Sequence, residues 1–169
     1  MVLAPFFNET NGLLSVSRQQ GSDFAKQLAN DFNPLHDVDA KRFVVPGDLL
    51  FSLVLQNKGI SQDMRFEFVG MVSADAEFSM VEDGAEKISI QSNDKACTNI
   101  QRSGEILSNA ALVEAITLEY VKFSGETFPA ILLPLMQQKN VMINPARPMV
   151  MYQCMVIHLD EFEFENPTI

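Results

Sequence analysis

The sequence predicts an α+β fold in which an antiparallel sheet wraps a buried central helix, and two observations carry this prediction. The first is PGDLLFSLVLQNKG at 46–59, whose apolar residues point in every direction around a helical axis. A helix of this kind needs cover on all sides. The second is the stretch 64–101, where short runs of alternating polar and apolar residues are joined by turn signals, as in an antiparallel meander. A curved sheet is the cover that a 169-residue chain can provide.

The first quarter of the chain predicts a helix followed by a turn. Ser17 and Gln20 have the spacing of a capping box for a helix over 17–32. Asn33-Pro34 is expected to stop that helix, because the residue before proline is pushed out of the helical region. Asp37 can then cap the short turn that follows.

The central helix and the strands after it have clear boundaries. Pro46 suits the first turn of a helix and Gly59 suits its end. Beyond it, MRFEFVGM alternates charged and aromatic residues, and Asp83-Gly84 is a hairpin signal. These features predict strands connected in sequence order.

The last third of the chain looks like a weaker copy of the first part. Ser108 can cap a helix, a second apolar segment follows with Pro134 as a kink, and a strand-like run ends the chain. We therefore predict a first domain at 1–104 and a degenerate or incomplete second half at 105–169. Two explanations for its missing sheet remain open: a partner chain completes it, or the sequence is a fragment of a longer protein.

Composition excludes some functions. With 22 acidic residues, 12 Lys and Arg and a net charge of −10, the chain lacks the basic stripe that nucleic acids or anionic membranes require. No apolar run is long enough to cross a bilayer and no signal peptide is visible, which favours the cytoplasm. Cys97 and Cys154 have no metal-site spacing, so we expect two buried free thiols and no metal.

The segment NDFNPLHDVDAKRF at 30–43 holds the candidate catalytic residues. Asp31 and His36 are separated by an Asn33-Pro34 turn that can fold both side chains toward one point. A carboxylate and an imidazole so placed can exchange protons with a bound water. The same residues could instead form only a helix stop, an Asx-type turn and a cap.

FAKQLANDFNPLHDVDAKRF followed by VVPGDLLFSL resembles the MaoC-like (R)-specific enoyl-CoA hydratase group of the hot-dog superfamily. The matching positions are Asp31, Asn33, Pro34, Leu35, His36, Ala40 and Gly47. The whole chain also resembles a bacterial hot-dog-like family of uncharacterised function with longer members. The resemblance implies a hot-dog fold, possibly an incomplete double hot-dog.

The resemblance also implies a chemistry. Asp31 and His36 would hold a water and add it to the double bond of an enoyl thioester, while Asn33 and Pro34 would fix the turn. The Gly47 amide would stabilise the negative charge on the carbonyl oxygen. Coenzyme A or an acyl carrier protein would carry the substrate, with no separate cofactor, and the site would lie in a homodimer.

Phosphate contacts of such a carrier would come from a few cations near the motif in sequence. The candidates are Lys41, Arg42, Lys58 and Arg65.

Three positions depart from the pattern. Asn30 stands where the group usually has glycine, and Pro46 stands where it has a polar residue. Asp48 directly follows the proposed amide and would oppose an enolate if its carboxylate faced the site. Activity could therefore be altered or lost. Alternatives to the hydratase are an acyl thioesterase using the same water, and a non-catalytic hot-dog module that binds an acyl ligand or a protein.

Overall fold

The computed structural model describes residues 2–144 and 151–160. The strands are β1 Asn8–Thr10, β2 Leu13–Ser15, β3 Ile60–Phe68, β4 Ser79–Asp83, β5 Lys87–Ser92, β6 Lys95–Leu107 and β7 Cys154–His158. The helices are α1 Arg18–Asp23, α2 Gly47–Lys58, α3 Ala110–Glu126 and α4 Leu133–Lys139. Single π-helical segments extend α1 over Phe24–Leu28 and join α3 to α4 over Thr127–Leu132, and 3-10 turns lie at Ala4–Phe6 and Pro34–His36.

The larger sheet has five antiparallel strands in the order β4-β5-β6-β3-β7. The predicted antiparallel meander is confirmed for β4, β5 and β6, with Gly84 in the hairpin at φ 72°. Strand β3, however, pairs with β6 and not with β4. The connection 69–78 therefore carries the chain to the far edge of the sheet. On its way it passes the start of α2, where the Val45 amide donates to the Val72 carbonyl at 2.9 Å.

Helix α2 is the buried central helix that the sequence predicts. It begins at Gly47 after Pro46, and it ends where Gly59 takes φ 74°, a left-handed value that glycine adopts without strain. Eight consecutive residues, 48–55, are buried. Side chains all round α2 are thus removed from water, each large one contributing about 1.5–3 kcal/mol.

Three layers meet at Phe51. Its ring packs against Phe66 of β3, with centroids 4.8 Å apart, and against Tyr120 of α3 at 4.6 Å. The sheet covers one side of α2 and α3 covers another. The α+β architecture with an antiparallel sheet on a buried helix follows directly from these contacts.

The last third differs from its sequence prediction in two details. Asn109, and not Ser108, caps α3, accepting hydrogen bonds from the amides of Ala111 and Leu112. Helix α4 has no buried residue, so the second apolar segment is not a second central helix. Pro134 lies at the start of α4, directly after the π-helical segment Thr127–Leu132, and a π turn is one of the irregularities that accompany a helix kink.

Strand β7 comes from the predicted second half but joins the same sheet, beside β3. The division at residues 104 and 105 stays a prediction. The strand-like run predicted at 149–164 lies outside the described residues at 149–150 and 161–164. Cys97 is buried as predicted, whereas Cys154 is exposed on β7, which corrects the expectation of two buried thiols. In the described parts of the chain, no helix has the length and apolar character to span a membrane.

Gly125 of α3 lies directly against the backbone of Ala29, where the first helix ends. A Cβ at this position would lie 1.7 Å from the Ala29 carbonyl oxygen, which is backbone and cannot rotate away. We expect Gly125→Ala to lower the free energy of unfolding by about 3 kcal/mol, since overpacking forces backbone shifts. Chemical denaturation measures this. Gly84→Ala is the control: its Cβ would meet no atom, so only the roughly 1 kcal/mol backbone strain should appear. An equal loss in both variants would contradict the close contact.

Candidate functional site

Asp31 is fixed where the first helix ends. The helix stops before the predicted Asn33-Pro34 break, because its last turn widens into a π turn and Asn30 takes φ 56°. The Asp31 amide donates to the Ala25 carbonyl at 2.8 Å, and its Oδ1 accepts from the Asn33 amide at 2.9 Å. Asp31 is 8% exposed. The Asp31 side chain is thus buried, and the residue is held in place by hydrogen bonds to its backbone amide and to its Oδ1.

His36 is fixed by the turn after it. Asn33 Oδ1 accepts from the Leu35 amide at 3.1 Å and starts the 3-10 turn Pro34–His36. The imidazole Nδ1 lies 2.9 Å from the Val44 carbonyl oxygen. Because a carbonyl can only accept, Nδ1 carries a proton. A neutral ring in this position presents an unprotonated Nε2.

Asp31 and His36 face one another. Nε2 of His36 lies 3.6 Å from Oδ2 of Asp31, which is too far for a direct hydrogen bond. Burial lowers the pKa of His36, against the opposing effect of the Asp31 charge. Burial also raises the pKa of Asp31, against the lowering effects of His36 and the Asn33 amide. Burial thus favours the neutral imidazole, and in that form Nε2 and the carboxylate Oδ2 are two acceptors side by side.

These two acceptors open into a cavity of about 450 Å³. Its polar lining also includes Asp48 and Tyr152, and its apolar lining comes from Val44, the 69–72 connection and Phe128. No lysine or arginine occurs among the described residues of the lining. The cavity is therefore mostly apolar with a few acidic or neutral polar groups, a composition suited to an uncharged ligand.

Gly47 lies at the cavity wall, at the start of α2. The Leu49 and Leu50 amides both donate to the Pro46 carbonyl, at 3.1 and 3.2 Å. Within residues 2–144 and 151–160, the amides of Gly47 and Asp48 have no acceptor. A Cβ on Gly47 would also lie 3.3 Å from the Phe68 ring. Packing against Phe68 is thus a second reason for glycine here.

Asp48 is oriented by α3. Its Oδ1 accepts from the Ser124 hydroxyl at 3.0 Å, and the side chain is 3% exposed. Burial raises the pKa of Asp48 to about 7, with the Asp31 charge raising it further and the Ser124 hydrogen bond lowering it. At neutral pH a large part of this carboxyl is protonated, which removes much of the opposing charge that the sequence predicts.

Two of the four predicted phosphate contacts lie away from this cavity. Lys58 is at the far end of α2, paired with Glu82, and Arg65 is on the outer face of β3, paired with Glu67. Lys41 and Arg42 are exposed in the turn that leads to Val44 of the cavity wall. The motif residues Asp31, Asn33, His36 and Gly47 all line one cavity, whereas Pro34 is exposed in the turn.

The two other departures from the hydratase pattern have local explanations. Asn30 adopts the left-handed conformation in which asparagine and glycine are the tolerated residues. Pro46 lines the cavity and contributes its carbonyl to the first turn of α2. Asparagine can therefore replace glycine at position 30, where the backbone is left-handed. At position 46, proline cannot supply the side-chain hydrogen bond that a polar residue would.

Ser124 and Tyr152 were missed by sequence reasoning. Ser124 lies within α3, and Tyr152 lies just before β7. No local motif marks either residue, since Ser124 reaches Asp48, and Tyr152 reaches Ser124, only through tertiary packing. Among the described residues, no group of three or more His, Cys, Asp or Glu side chains is arranged to hold a metal ion.

Fold and site together define an α+β protein with a mostly apolar cavity, containing a few acidic and neutral polar groups, at the N-terminus of its buried helix. The chain belongs to the family described as protein of unknown function (DUF3581), whose model matches residues 1–169. No curated protein matches it. Among solved structures the chain is similar to a MaoC-like dehydratase, with 13% identity and a TM-score of 0.41. That match covers 57% of this chain and 39% of the other, so the chain spans well under half of that structure.

Proposed function

We propose that this protein is a hot-dog enzyme that adds water to the double bond of an enoyl thioester, or removes it in the reverse direction. The observation that carries this proposal is the pair of facing acceptors, Asp31 Oδ2 and His36 Nε2, at the wall of one cavity. The resemblance of residues 20–70 to the hydratase pattern supports the same reaction.

The two acceptors suit a water molecule. A water has two protons to donate, and here Asp31 and the neutral His36 each offer one acceptor. As the water oxygen bonds to the β-carbon of the substrate, Asp31 takes one of its protons as general base. The same carboxyl then returns a proton to the α-carbon. The Val44 carbonyl keeps Nδ1 protonated and thereby keeps Nε2 an acceptor.

The negative charge of the enolate needs donors at the carbonyl oxygen. The free amides of Gly47 and Asp48, at the positive end of α2, are suitable donors. The carrier, coenzyme A or an acyl carrier protein, stays outside the cavity, whose described lining offers its phosphates no lysine or arginine. Lys41 and Arg42 are the candidates for its phosphates. We also propose a homodimer, which light scattering would test.

Crotonyl-CoA tests the function directly. We expect the enoyl absorbance to fall without release of free thiol, because water adds to the alkene and the thioester remains. Release of free thiol would instead indicate a thioesterase. Constant absorbance with no free thiol, at every chain length tried on either carrier, would contradict enzymatic action on enoyl thioesters and favour the binding module.

A further inference from the structure

The same cavity has a second polar cluster, whose side chains have no part in the reaction as described so far. It consists of Asp48 and Tyr152 of the cavity lining together with Ser124, which contacts both, and is named here the Asp48 cluster. The Ser124 Oγ lies 3.0 Å from Asp48 Oδ1 and 3.0 Å from the Tyr152 hydroxyl oxygen. The Tyr152 hydroxyl donates to the Ser124 carbonyl at 2.8 Å. Residues from α2, α3 and the segment before β7 are thus joined at one point.

One carboxyl oxygen of Asp48 is available to a ligand. Ser124 engages Oδ1, while Oδ2 takes no hydrogen bond from the described residues. Asp48 and Tyr152 both line the cavity that Asp31 and His36 also line. A substrate in this cavity would therefore meet Asp48 as well as the water-holding pair.

The surroundings of Asp48 favour its neutral form. Among the described residues, the titratable groups that face it are Asp31 from the loop after the first helix, Tyr120 from α3 and Tyr152 from the segment before β7. Among the described lining residues His36 is the basic group, and burial favours its neutral form. None of these groups supplies a positive charge to balance a buried carboxylate. A protonated carboxyl in this position is a hydrogen-bond donor.

We propose that Asp48, in its protonated form, is a third catalytic residue that donates a hydrogen bond to the acyl carbonyl oxygen of the substrate. This inference rests on the proposed function. As Asp31 takes a proton from water and the water oxygen bonds to the β-carbon, the alkene electrons move onto the carbonyl oxygen. Asp48 stabilises that enolate and keeps its own proton. Asp31 then returns the proton to the α-carbon, so that one water is added overall.

Ser124 is a positioning residue in this scheme. Its hydroxyl bonds one oxygen of Asp48 and leaves the other for the substrate. Because a hydrogen bond from Ser124 favours the ionised carboxylate, it also limits the pH range over which Asp48 can donate. The scheme predicts that the site binds neutral acyl carbonyls, such as those of thioesters, and disfavours free carboxylates.

The pH dependence of crotonyl-CoA hydration, between about pH 5.5 and 9, tests the assignment. The wild-type rate is expected to fall on the alkaline side with a midpoint near 7, because Asp48 loses its proton there. In Asp48→Asn the side-chain amide is a donor that does not titrate. We therefore expect this variant to keep at least about a tenth of the wild-type rate and to lack the alkaline fall that Asp48 ionisation causes. Ser124→Ala should move the alkaline midpoint up by roughly half to one pH unit.

Asp75→Asn is the matched control, since Asp75 is exposed at φ 60°, where asparagine is tolerated, and should keep the wild-type profile. An Asp48→Asn profile with the wild-type alkaline fall, or a Ser124→Ala midpoint that stays or moves down, would overturn the inference. The proposed function would stand in that case, because wild-type hydration is measured in the same series.

A readout without turnover uses butyryl-CoA, a saturated thioester that cannot be hydrated. In infrared difference spectra between wild type and Asp48→Asn, we expect a protonated carboxyl band that shifts when butyryl-CoA binds. Bound butyryl-CoA with an unshifted band would overturn the contact with the carbonyl.

Discussion

Replacing Asp31 with asparagine is expected to lower the rate of crotonyl-CoA hydration by roughly 10²- to 10⁴-fold, the usual contribution of a positioned general base. In the proposed reaction the side chain at position 31 takes the proton of the attacking water, which an amide cannot do. The fold should survive, because an asparagine oxygen can still accept from the Asn33 amide as Asp31 Oδ1 does. The loss should appear in kcat, since the base acts in the transition state.

Asp39→Asn provides the matched control for this experiment. It removes the same charge from an exposed position eight residues further along the chain, and its kcat should remain close to wild type. His36→Ala should also lower kcat strongly, because the water then loses one of its two acceptors. Unchanged hydration in Asp31→Asn or His36→Ala would refute the water-holding pair.

Asp48→Asn is expected to remove a large pH-dependent loss of stability. In the folded protein burial raises the pKa of Asp48 from 3.8 to about 7. Between these two values the folded state holds a proton that the unfolded state has released, so the free energy of unfolding falls as pH rises through this window. About three pKa units correspond to a loss on the order of 4 kcal/mol, complete above the folded pKa.

Urea denaturation of both proteins at about pH 5 and pH 8 measures this effect. The stability gained by Asp48→Asn should be larger at the higher pH, where the wild-type carboxylate is ionised. Asp31 and His36 titrate in both proteins, and the repulsion between the Asp31 and Asp48 charges, which Asp48→Asn removes, adds to the gain at the higher pH. An equal change at both pH values would mean that Asp48 ionises normally in the folded state. Asp75→Asn should leave the wild-type pH dependence unchanged.

The sequence determined those features that depend on neighbouring residues. The capping box of Ser17 and Gln20, the start of α2 after Pro46 and its end at Gly59 are confirmed. The burial of α2 on all sides followed from its apolar residues, because such a helix has no face that favours water. The turn that holds Asp31 and His36 was also expected, since Asn33 and Pro34 set its backbone locally.

A few local signals were overlooked. Asn11-Gly12 joins β1 and β2, a short hairpin that the sequence prediction omitted. The Asn109 cap was assigned to its neighbour Ser108, although both residues favour that position. Neither the choice of Ser108 over the adjacent Asn109 nor the omitted Asn11-Gly12 turn changes the fold class.

Only the tertiary structure decided which groups meet Asp48 and where β3 lies in the sheet. Ser124 is 76 positions from Asp48 and Tyr152 is 28 further on, so no spacing in the sequence links them. The ionisation of a carboxyl depends on the water and charges around it, which come from helix packing. For the same reason Lys58 and Arg65, close to the motif in sequence, lie away from the cavity. Local sequence set the turn that carries Asp31 and His36, whereas burial between α2 and α3 set the protonation of Asp48.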